Sequence, residues 1–465
     1  MADPLWTSEA VAAATGGRAS GGPFVATGVA IDSRTALPGD LFVALAAERD
    51  GHAFVPAALA AGAAGVLASR PVEAPAVIVE DTLRALDALG LAARARATQA
   101  LRGAVTGSVG KTSVTQLVRA GLDLAGHAHG SVKSYNNHIG VPLTLARMPA
   151  DTQRAIFEIG MNHAGEIAPL SRMVEPHAVA ITNVEAVHVE NFADGEAGVA
   201  GAKAEIFAGL QRGGTAILNA DNRWFEPLRG AALQAGARVI SFGAAEVADA
   251  QLVRSSRTDD GALLEAQVFG APLTLSLRQS APHWGPMSLC ALLMMQALDV
   301  DLETAARALA SFEPLEGRGA ERQVRGPAGA FALIDESYNA SPVSVAAAIA
   351  DLGARRTGGR RIVALTDMLE LGPASPQLHA GLAEAIDAAG IDLVFCAGPL
   401  MQSLWQALPR PRRGAWAGSA AELAPCLARA LRAGDTVMIK GSRDSRAASL
   451  VQSLVALDRP GGEAG

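Results

Sequence analysis

Aromatic side chains are scarce in this sequence, with 12 Phe, 5 Trp and 2 Tyr among 465 residues. A platform for single-stranded nucleic acid stacks bases on exposed rings, and so few rings argue against one. A basic surface is missing too. The formal net charge is -7 and the Lys and Arg residues are scattered, whereas a chain that tracks a phosphate backbone carries a basic stripe. The densest basic run, Arg410-Pro411-Arg412-Arg413, reads as a solvated loop, and no nucleic-acid partner is expected. Cysteine is limited to Cys290, Cys396 and Cys426, too far apart for a disulfide framework or a paired metal site, so they read as reduced core thiols. Charge or turn residues interrupt every apolar segment before the roughly 20 residues that cross a bilayer, so no membrane span is expected. The opening Met1-Ala2-Asp3-Pro4-Leu5-Trp6 has no basic segment followed by an apolar stretch and a cleavage site. A cytoplasmic monomer is the expectation.

What the sequence does have is apolar bulk of small size. Half of its residues are hydrophobic and 18% are charged, enough to form packed interiors rather than a disordered chain. Much of that bulk is alanine and glycine, which suits helices packed closely on sheets. The length predicts roughly three cores. Short extended runs at Gly28-Ile31, Leu41-Leu45, Gly65-Ala68 and Ala76-Val79, with a helical stretch near Pro56-Ala61, predict a small α/β unit over residues 1–100. A helix from Leu83 to about Thr98 leads out of it. From Leu101 to residue 314, strand-like runs at Gly103-Val105, Ala155-Ile159, Ala178-Thr182, Thr215-Leu218 and Arg238-Phe242 alternate with helical ones, the pattern of βαβ units in a parallel sheet. Ala262-Val268 and Leu273-Leu277 read as an antiparallel addition, followed by helices at Met287-Leu298 and Leu302-Ala310. Pro314-Leu315-Glu316-Gly317 marks the next break. Residues 315–465 then carry strands at Phe331-Ile334, Ile362-Leu365, Leu393-Cys396 and Thr436-Ile439, predicting a Rossmann-like layer structure.

The chemistry is concentrated in Thr106-Gly107-Ser108-Val109-Gly110-Lys111-Thr112-Ser113. Glycines at 107 and 110 let backbone N–H groups turn toward an anion, Lys111 can reach terminal phosphates, and the Thr112 hydroxyl can ligate Mg²⁺. The run follows a predicted strand and opens a helix, the context a phosphate loop requires. A strict spacing would put glycine where Val105 stands.

With that loop, further segments make the chain resemble the Mur ligases nearly end to end. They include Asp32-Ser33-Arg34 and Pro38-Gly39-Asp40-Leu41-Phe42, then Asn136-Asn137-His138-Ile139-Gly140-Val141-Pro142-Leu143-Thr144 and Phe157-Glu158-Ile159-Gly160-Met161-Asn162. Ile181-Thr182-Asn183 with His188, Ala202-Lys203-Ala204-Glu205-Ile206 and Leu218-Asn219-Ala220-Asp221-Asn222 follow. Asp335-Glu336-Ser337-Tyr338-Asn339-Ala340-Ser341-Pro342, Asp367-Met368-Leu369-Glu370-Leu371-Gly372 and Lys440-Gly441-Ser442-Arg443 complete the match. The resemblance implies an α/β, three-domain architecture: a domain for the UDP-linked substrate, a central P-loop parallel-sheet ATPase domain, and a Rossmann-like C-terminal domain for the incoming amine. Within the family, the segments at 136–144 and 337–342 look like the branch that joins D-alanyl-D-alanine to UDP-N-acetylmuramoyl-tripeptide through an acyl phosphate, in peptidoglycan precursor synthesis. A ligase for another amine, a folate-type ligase and a non-catalytic nucleotide-binding homologue are the alternatives.

The same resemblance assigns roles. ATP is held by Thr106 to Ser113, with Arg318 neutralising phosphate charge and Asp335 on the ribose; Mg²⁺ is held by Thr112, Glu158, His188 and Lys203. Lys203 is expected to be carbamylated, which turns a cation into an anionic oxygen ligand. Lys111, Glu158, His188 and Lys203 form the catalytic set. Asp32, Ser33 and Arg34 take the uridine nucleotide, and Asn136, Asn137, Tyr338, Asn339 and Lys440 contact substrate. By residue type alone, Glu158 is equally a solvated strand-end charge, His188 a hydrogen-bonded loop residue, Lys203 a surface helix lysine, and Arg318 with Asp335 an ordinary ion pair. The family pattern is broken at His283-Trp284-Gly285-Pro286-Met287, near the adenine, and at Ala447 and Ala448 after the Lys440 segment.

Overall fold

The computed structural model describes residues 4–46, 49–131, 134–185, 189–258, 261–313 and 316–458. Three sheets organise these residues, beside a short antiparallel pairing of Trp6–Thr7 with Val25–Ala26. The first sheet has five strands in the order Arg18–Ser20, Ala76–Ile78, Gly65–Ala68, Asp40–Val43, Gly28–Ala30, parallel except at its first pair. Helix Thr82–Arg96, capped by Asp81, lies beside it. Leu86 and Leu89 of that helix share a core with Leu41 and Leu67 of the sheet and with Leu143 and Ala146 of the next unit. Polar bonds reinforce this junction: the Trp6 indole donates to the Ala146 carbonyl at 2.8 Å and Arg147 donates to the Val29 carbonyl at 2.7 Å.

The second sheet has nine strands. Arg238–Gly243, Thr215–Asn219, Ala178–Ile181, Leu101–Thr106, Arg154–Glu158 and Ala128–Gly130 run parallel. Side chains alternate across it with period two. Val105, Ile156, Ala178, Ala180 and Ile217 enter one core; Ala104, Phe157, Val179, Ile181 and Leu218 enter the other. Both faces are covered, which is why these strands read as continuous apolar runs. On the first face sit helix Lys111–Ala125, through Val114, Leu117, Val118 and Leu122, and helix Trp284–Ala297. The latter is buried continuously from Ser288 to Met295, as expected of a helix apolar all round.

The third sheet runs Ala320–Gly326, Gly329–Glu336, Thr436–Lys440, Arg361–Thr366, Leu393–Ala397, Arg413–Ala417, antiparallel at the first pair and parallel thereafter. Cores lie on both of its faces. The chain is therefore a mixed α/β, multidomain fold, and no helix among the described residues is long and apolar enough to cross a membrane.

Three expectations change. The antiparallel addition has three strands: Ala250–Thr258 pairs parallel with Arg238–Gly243 and antiparallel with Gly261–Val268. Its Gln251, Arg254, Ser255, Ser256 and Arg257 leave no apolar run to read. The basic run at 410–413 is a built corner rather than a solvated loop. Arg412 donates to the carbonyls of Ile391 at 2.5 Å and Ile386 at 3.3 Å and to Asp387 at 2.7 Å, while Arg413 opens an edge strand and donates to the Leu408 and Gln406 carbonyls at 2.9 Å each. Cys290 and Cys396 are buried, and burial lifts their thiols out of reach, Cys396 to about 12. Cys426 is only half-buried, with Arg429 donating to its Sγ at 3.6 Å.

Candidate active site

The phosphate loop leaves strand Leu101–Thr106 at the carboxyl edge of the parallel sheet, where open α/β sheets bind ligands. Val105 is inside the strand and fully buried, so the turn begins only at Gly107. Gly107 has φ 151° and a Cβ there would stand 1.9 Å from the Thr182 hydroxyl; Gly110 has φ 84° and forms the N-cap of helix Lys111–Ala125. Both conformations suit glycine. The loop is braced from strand Ala178–Ile181 and its extension: the Thr182 hydroxyl donates to the Val109 carbonyl at 2.6 Å, and Asn183 Oδ1 accepts from the Val109 N–H at 3.0 Å. Ser108 is tied at both ends to Glu185, donating to its carbonyl at 3.1 Å and accepting from its N–H at 2.9 Å.

Ser108 through Ser113 line a cavity of about 490 Å³ between the nine-stranded and six-stranded sheets. Among the residues named from sequence, Lys111, Thr112, Asn136, Glu158, Arg318, Tyr338, Asn339 and Lys440 meet there as well. Glu158 ends its strand almost fully buried. Its Oε2 accepts from Thr112 Oγ1 at 2.7 Å, and its Oε1 accepts from Asn136 Nδ2 at 2.7 Å and Ser134 Oγ at 3.0 Å. The Lys111 ammonium curls back on its loop, donating to the Gly107 carbonyl at 2.6 Å and the Ser108 carbonyl at 3.1 Å. Burial lowers its pKa, Glu158 opposes the shift, and the Arg318 cation adds to it. Arg318 belongs to the other unit and lies 4.0 Å over the Tyr338 ring. Two cations from two units thus face one cavity, an arrangement that suits a polyanion.

Several named residues stand elsewhere. Thr106 is buried behind the loop and its hydroxyl has no partner. Asn137 Oδ1 accepts from the N–H groups of Ile139 and Gly140 at 3.1 and 2.9 Å, so it caps the short helix Gly140–Ala146 instead of facing the cavity. Asp335 does not line the cavity. Its carboxylate is taken up by the N–H groups of Gly317 and Ser337 and by the Ser337 hydroxyl, at 2.6 to 3.1 Å, and so shapes the turn that carries Arg318. The lining carboxylate is its neighbour Glu336, paired with Lys440 at 3.1 Å; Lys440 also donates to the Asn339 carbonyl at 3.0 Å. Asp32 and Arg34 form their own pair on the first unit, away from this cavity, and the Arg34 guanidinium holds the Asp32 carboxyl down at about 2. Ser33 lies between them on the same turn. His188 lies outside the described residues. Lys203 is buried in helix Glu196–Ala204 behind the lining, where burial and then the Lys111 cation hold its amine well below the ordinary lysine range.

Sequence reasoning did not single out Ser134, Glu185 or Glu336. Glu185 lines the cavity with Oε2 buried and unpartnered, and burial followed by the Glu196 charge raises its pKa. The polar residue two positions from Asn183 was the available signal. Among the described residues there is no group of three or more His, Cys, Asp or Glu that could hold a metal. The Thr112 hydroxyl and the Glu158 carboxylate still fit Mg²⁺, which takes one or two protein oxygens and fills its shell with phosphate and water. Bound there, Mg²⁺ would neutralise phosphate charge.

Comparisons with known proteins agree with this geometry. Residues 105–285 match the Mur ligase middle domain and residues 322–443 the Mur ligase, glutamate ligase domain. The chain is 35% identical over 392 residues to the UDP-N-acetylmuramoyl-tripeptide--D-alanyl-D-alanine ligase of Escherichia coli (strain K12), covering 82% of this chain and 83% of that one. It is 34% identical over 379 residues to the protein of the same name from Bacillus subtilis (strain 168), covering 80% of each. A crystal structure of MurF from Acinetobacter baumannii superposes with a TM-score of 0.84 at 27% identity, over 98% of this chain and 99% of that one. With these matches, fold, loop and cavity define an ATP-dependent ligase that forms a C–N bond. The chain belongs to the Mur ligase family.

Proposed function

We propose that this protein joins D-alanyl-D-alanine to UDP-N-acetylmuramoyl-tripeptide in the cytoplasm, as a monomer, in the assembly of peptidoglycan precursors. The observation that carries this reading is the meeting of Ser108 to Ser113, Glu158 and Lys111 with Arg318, Tyr338 and Lys440 across one cavity, in a chain similar along most of its length to ligases of that name. The proposed division is 1–100 for the UDP part of the substrate, through Asp32, Ser33 and Arg34, 101–314 for ATP and 315–465 for the amine. Its support is that each segment carries its own sheet.

A carboxylate resists an amine because it is anionic and lacks a leaving group. ATP supplies the remedy: its γ-phosphoryl group goes to a carboxylate oxygen, ADP leaves, and the acyl phosphate then loses phosphate to the attacking amine. This chain's own residues position the anions and neutralise them. Lys111 leaves the loop carbonyls for the terminal phosphates, and Arg318 approaches the same charge from the opposite wall. By the family resemblance Thr112, Glu158, His188 and a carbamylated Lys203 would hold Mg²⁺. The support for the carbamate is a buried amine whose affinity for a proton is lowered by burial and then by the Lys111 cation, since the unprotonated amine is the form that adds CO₂. Phe242, Met287 and Val343 offer apolar wall for the base.

The test is ADP release in the presence of UDP-N-acetylmuramoyl-tripeptides and a panel of amines. Turnover is expected with D-alanyl-D-alanine and to fall at least about a hundredfold with single amino acids, whose missing groups leave site dipoles unpaired. Equal turnover with a diamino acid or with glutamate would remove the substrate assignment.

A further inference from the structure

Helix Pro342–Ala354 serves two neighbours at once. Its Val343, Ser344, Ala347 and Ala348 face the nucleotide cavity. One turn further on, the same face carries Asp351, whose side chain is 8% exposed. Asp351 Oδ2 accepts from Arg355 Nε at 2.9 Å and Nη2 at 2.8 Å, and Arg355 reaches Glu321 on edge strand Ala320–Gly326 at 2.6 Å. Those three charges belong to the six-stranded unit and leave it one negative charge in excess, and the two carboxylates raise the pKa of the Arg355 guanidinium against its burial. The remaining Asp351 oxygen accepts from Arg257, which comes from strand Ala250–Thr258 of the nine-stranded sheet. A second cavity of about 710 Å³ surrounds this cluster and shares His283, Trp284, Glu336 and Ala348 with the first.

Arg355 grips Asp351 with two donors but is shared with Glu321, so Arg257 supplies the charge that balances the cluster, and supplies it from the other unit. What Arg257 adds is a tie between units, placed one helical turn from the residues that wall the nucleotide cavity. The loop wall, Ser108 to Ser113, is fixed to one sheet and the opposite wall to the other, so the cavity has its shape only while that separation is held. We propose that Arg257 is a positioning residue for nucleotide binding: its ion pair with Asp351 docks helix Pro342–Ala354 against the nine-stranded sheet and assembles both walls before ATP arrives. This rests on the reading that the cavity takes ATP.

The experiment is steady-state ADP release by the full chain at saturating peptide and amine, comparing wild type with Arg257→Ala and Arg257→Lys. If the binding-competent arrangement is lost from most molecules, the apparent affinity for ATP falls by the same fraction. Arg257→Ala is expected to raise KM for ATP about tenfold and to leave kcat within about twofold, a coupling of ordinary size. Arg257→Lys, which keeps a cation on the same strand, is expected to restore KM to within about threefold of wild type, since the tie is mainly charge at this distance. Raised salt should increase the wild-type KM more than that of Arg257→Ala, because the tie is part-exposed and screened. An Arg257→Ala KM equal to wild type, a loss in kcat alone, or a lysine variant as impaired as the alanine one would each overturn the proposal. No ADP release by wild type under any substrate would instead overturn the nucleotide reading, and this inference with it.

Discussion

Lys111→Ala is expected to lower ligation about a hundredfold to a thousandfold, the usual cost of removing one preorganised charge stabiliser from a developing anion. The reason is positional. In the structure the ammonium donates to two carbonyls of its own loop, at 2.6 and 3.1 Å, so it is stored at the mouth of the phosphate cradle. Its pKa is lowered by burial and by Arg318, which means that this cation is held at some cost until an anion arrives to offset it. The folded state loses little with the substitution. Two charged-donor bonds go, and so does the burial of an ammonium facing another cation, leaving a net change of at most about 2 kcal/mol. Thermal melting and single-turnover ADP formation check the two halves separately. Ligation by the variant at a rate near wild type would show that Lys111 does not touch the transferring phosphoryl group.

The central loop was readable because its chemistry is carried by contiguous residues and its backbone demands glycine at 107 and 110. Glu158 was marked by the family resemblance, and its place at the end of strand Arg154–Glu158 puts it at the carboxyl edge, where a parallel sheet places its ligand. What escaped depends on contacts between distant segments. Asp335 and Glu336 are adjacent in sequence and opposite in direction, so strand alternation sends one inward to bind Gly317 and Ser337 and the other into the cavity. The resemblance chose Asp335 for the ribose, whereas in the structure it is Glu336 whose side chain lines the cavity. Asn136 and Asn137 were named together from the family segment at 136–144, and the structure turns Asn136 to Glu158 and Asn137 to the N–H groups of Ile139 and Gly140. Strand Ala250–Thr258 escaped for another reason. It lies where the sheet changes from parallel to antiparallel and is polar on its outward face, so neither periodicity nor apolar content announces it.

Lys203→Ala is expected to remove most ligation activity, and a small carboxylate such as formate or acetate to restore part of it. The argument begins with the cost of the residue. A lysine buried beside Lys111 cannot keep its proton cheaply, and burial lowers its affinity for that proton. An unprotonated amine is the form that adds CO₂, and a carbamate at this position would present the hard anionic oxygen that Mg²⁺ prefers, near the Lys111 cation. The unmodified side chain would do the reverse, repelling metal from a site already occupied by one cation. The linkage sign gives a second readout. Because the folded pKa lies below the unfolded one, unmodified Lys203 destabilises the fold at low and neutral pH, and that penalty disappears as pH rises to the ordinary lysine range. Lys203→Met should therefore melt at a higher temperature than CO₂-depleted wild type at neutral pH, and the gap should close on raising the pH. Bicarbonate should narrow the same gap at constant pH by converting the amine to the carbamate. Full activity of Lys203→Ala without additive would rule out the metal role. A melting difference that ignores both pH and bicarbonate would show that the amine is protonated and paired in the folded state.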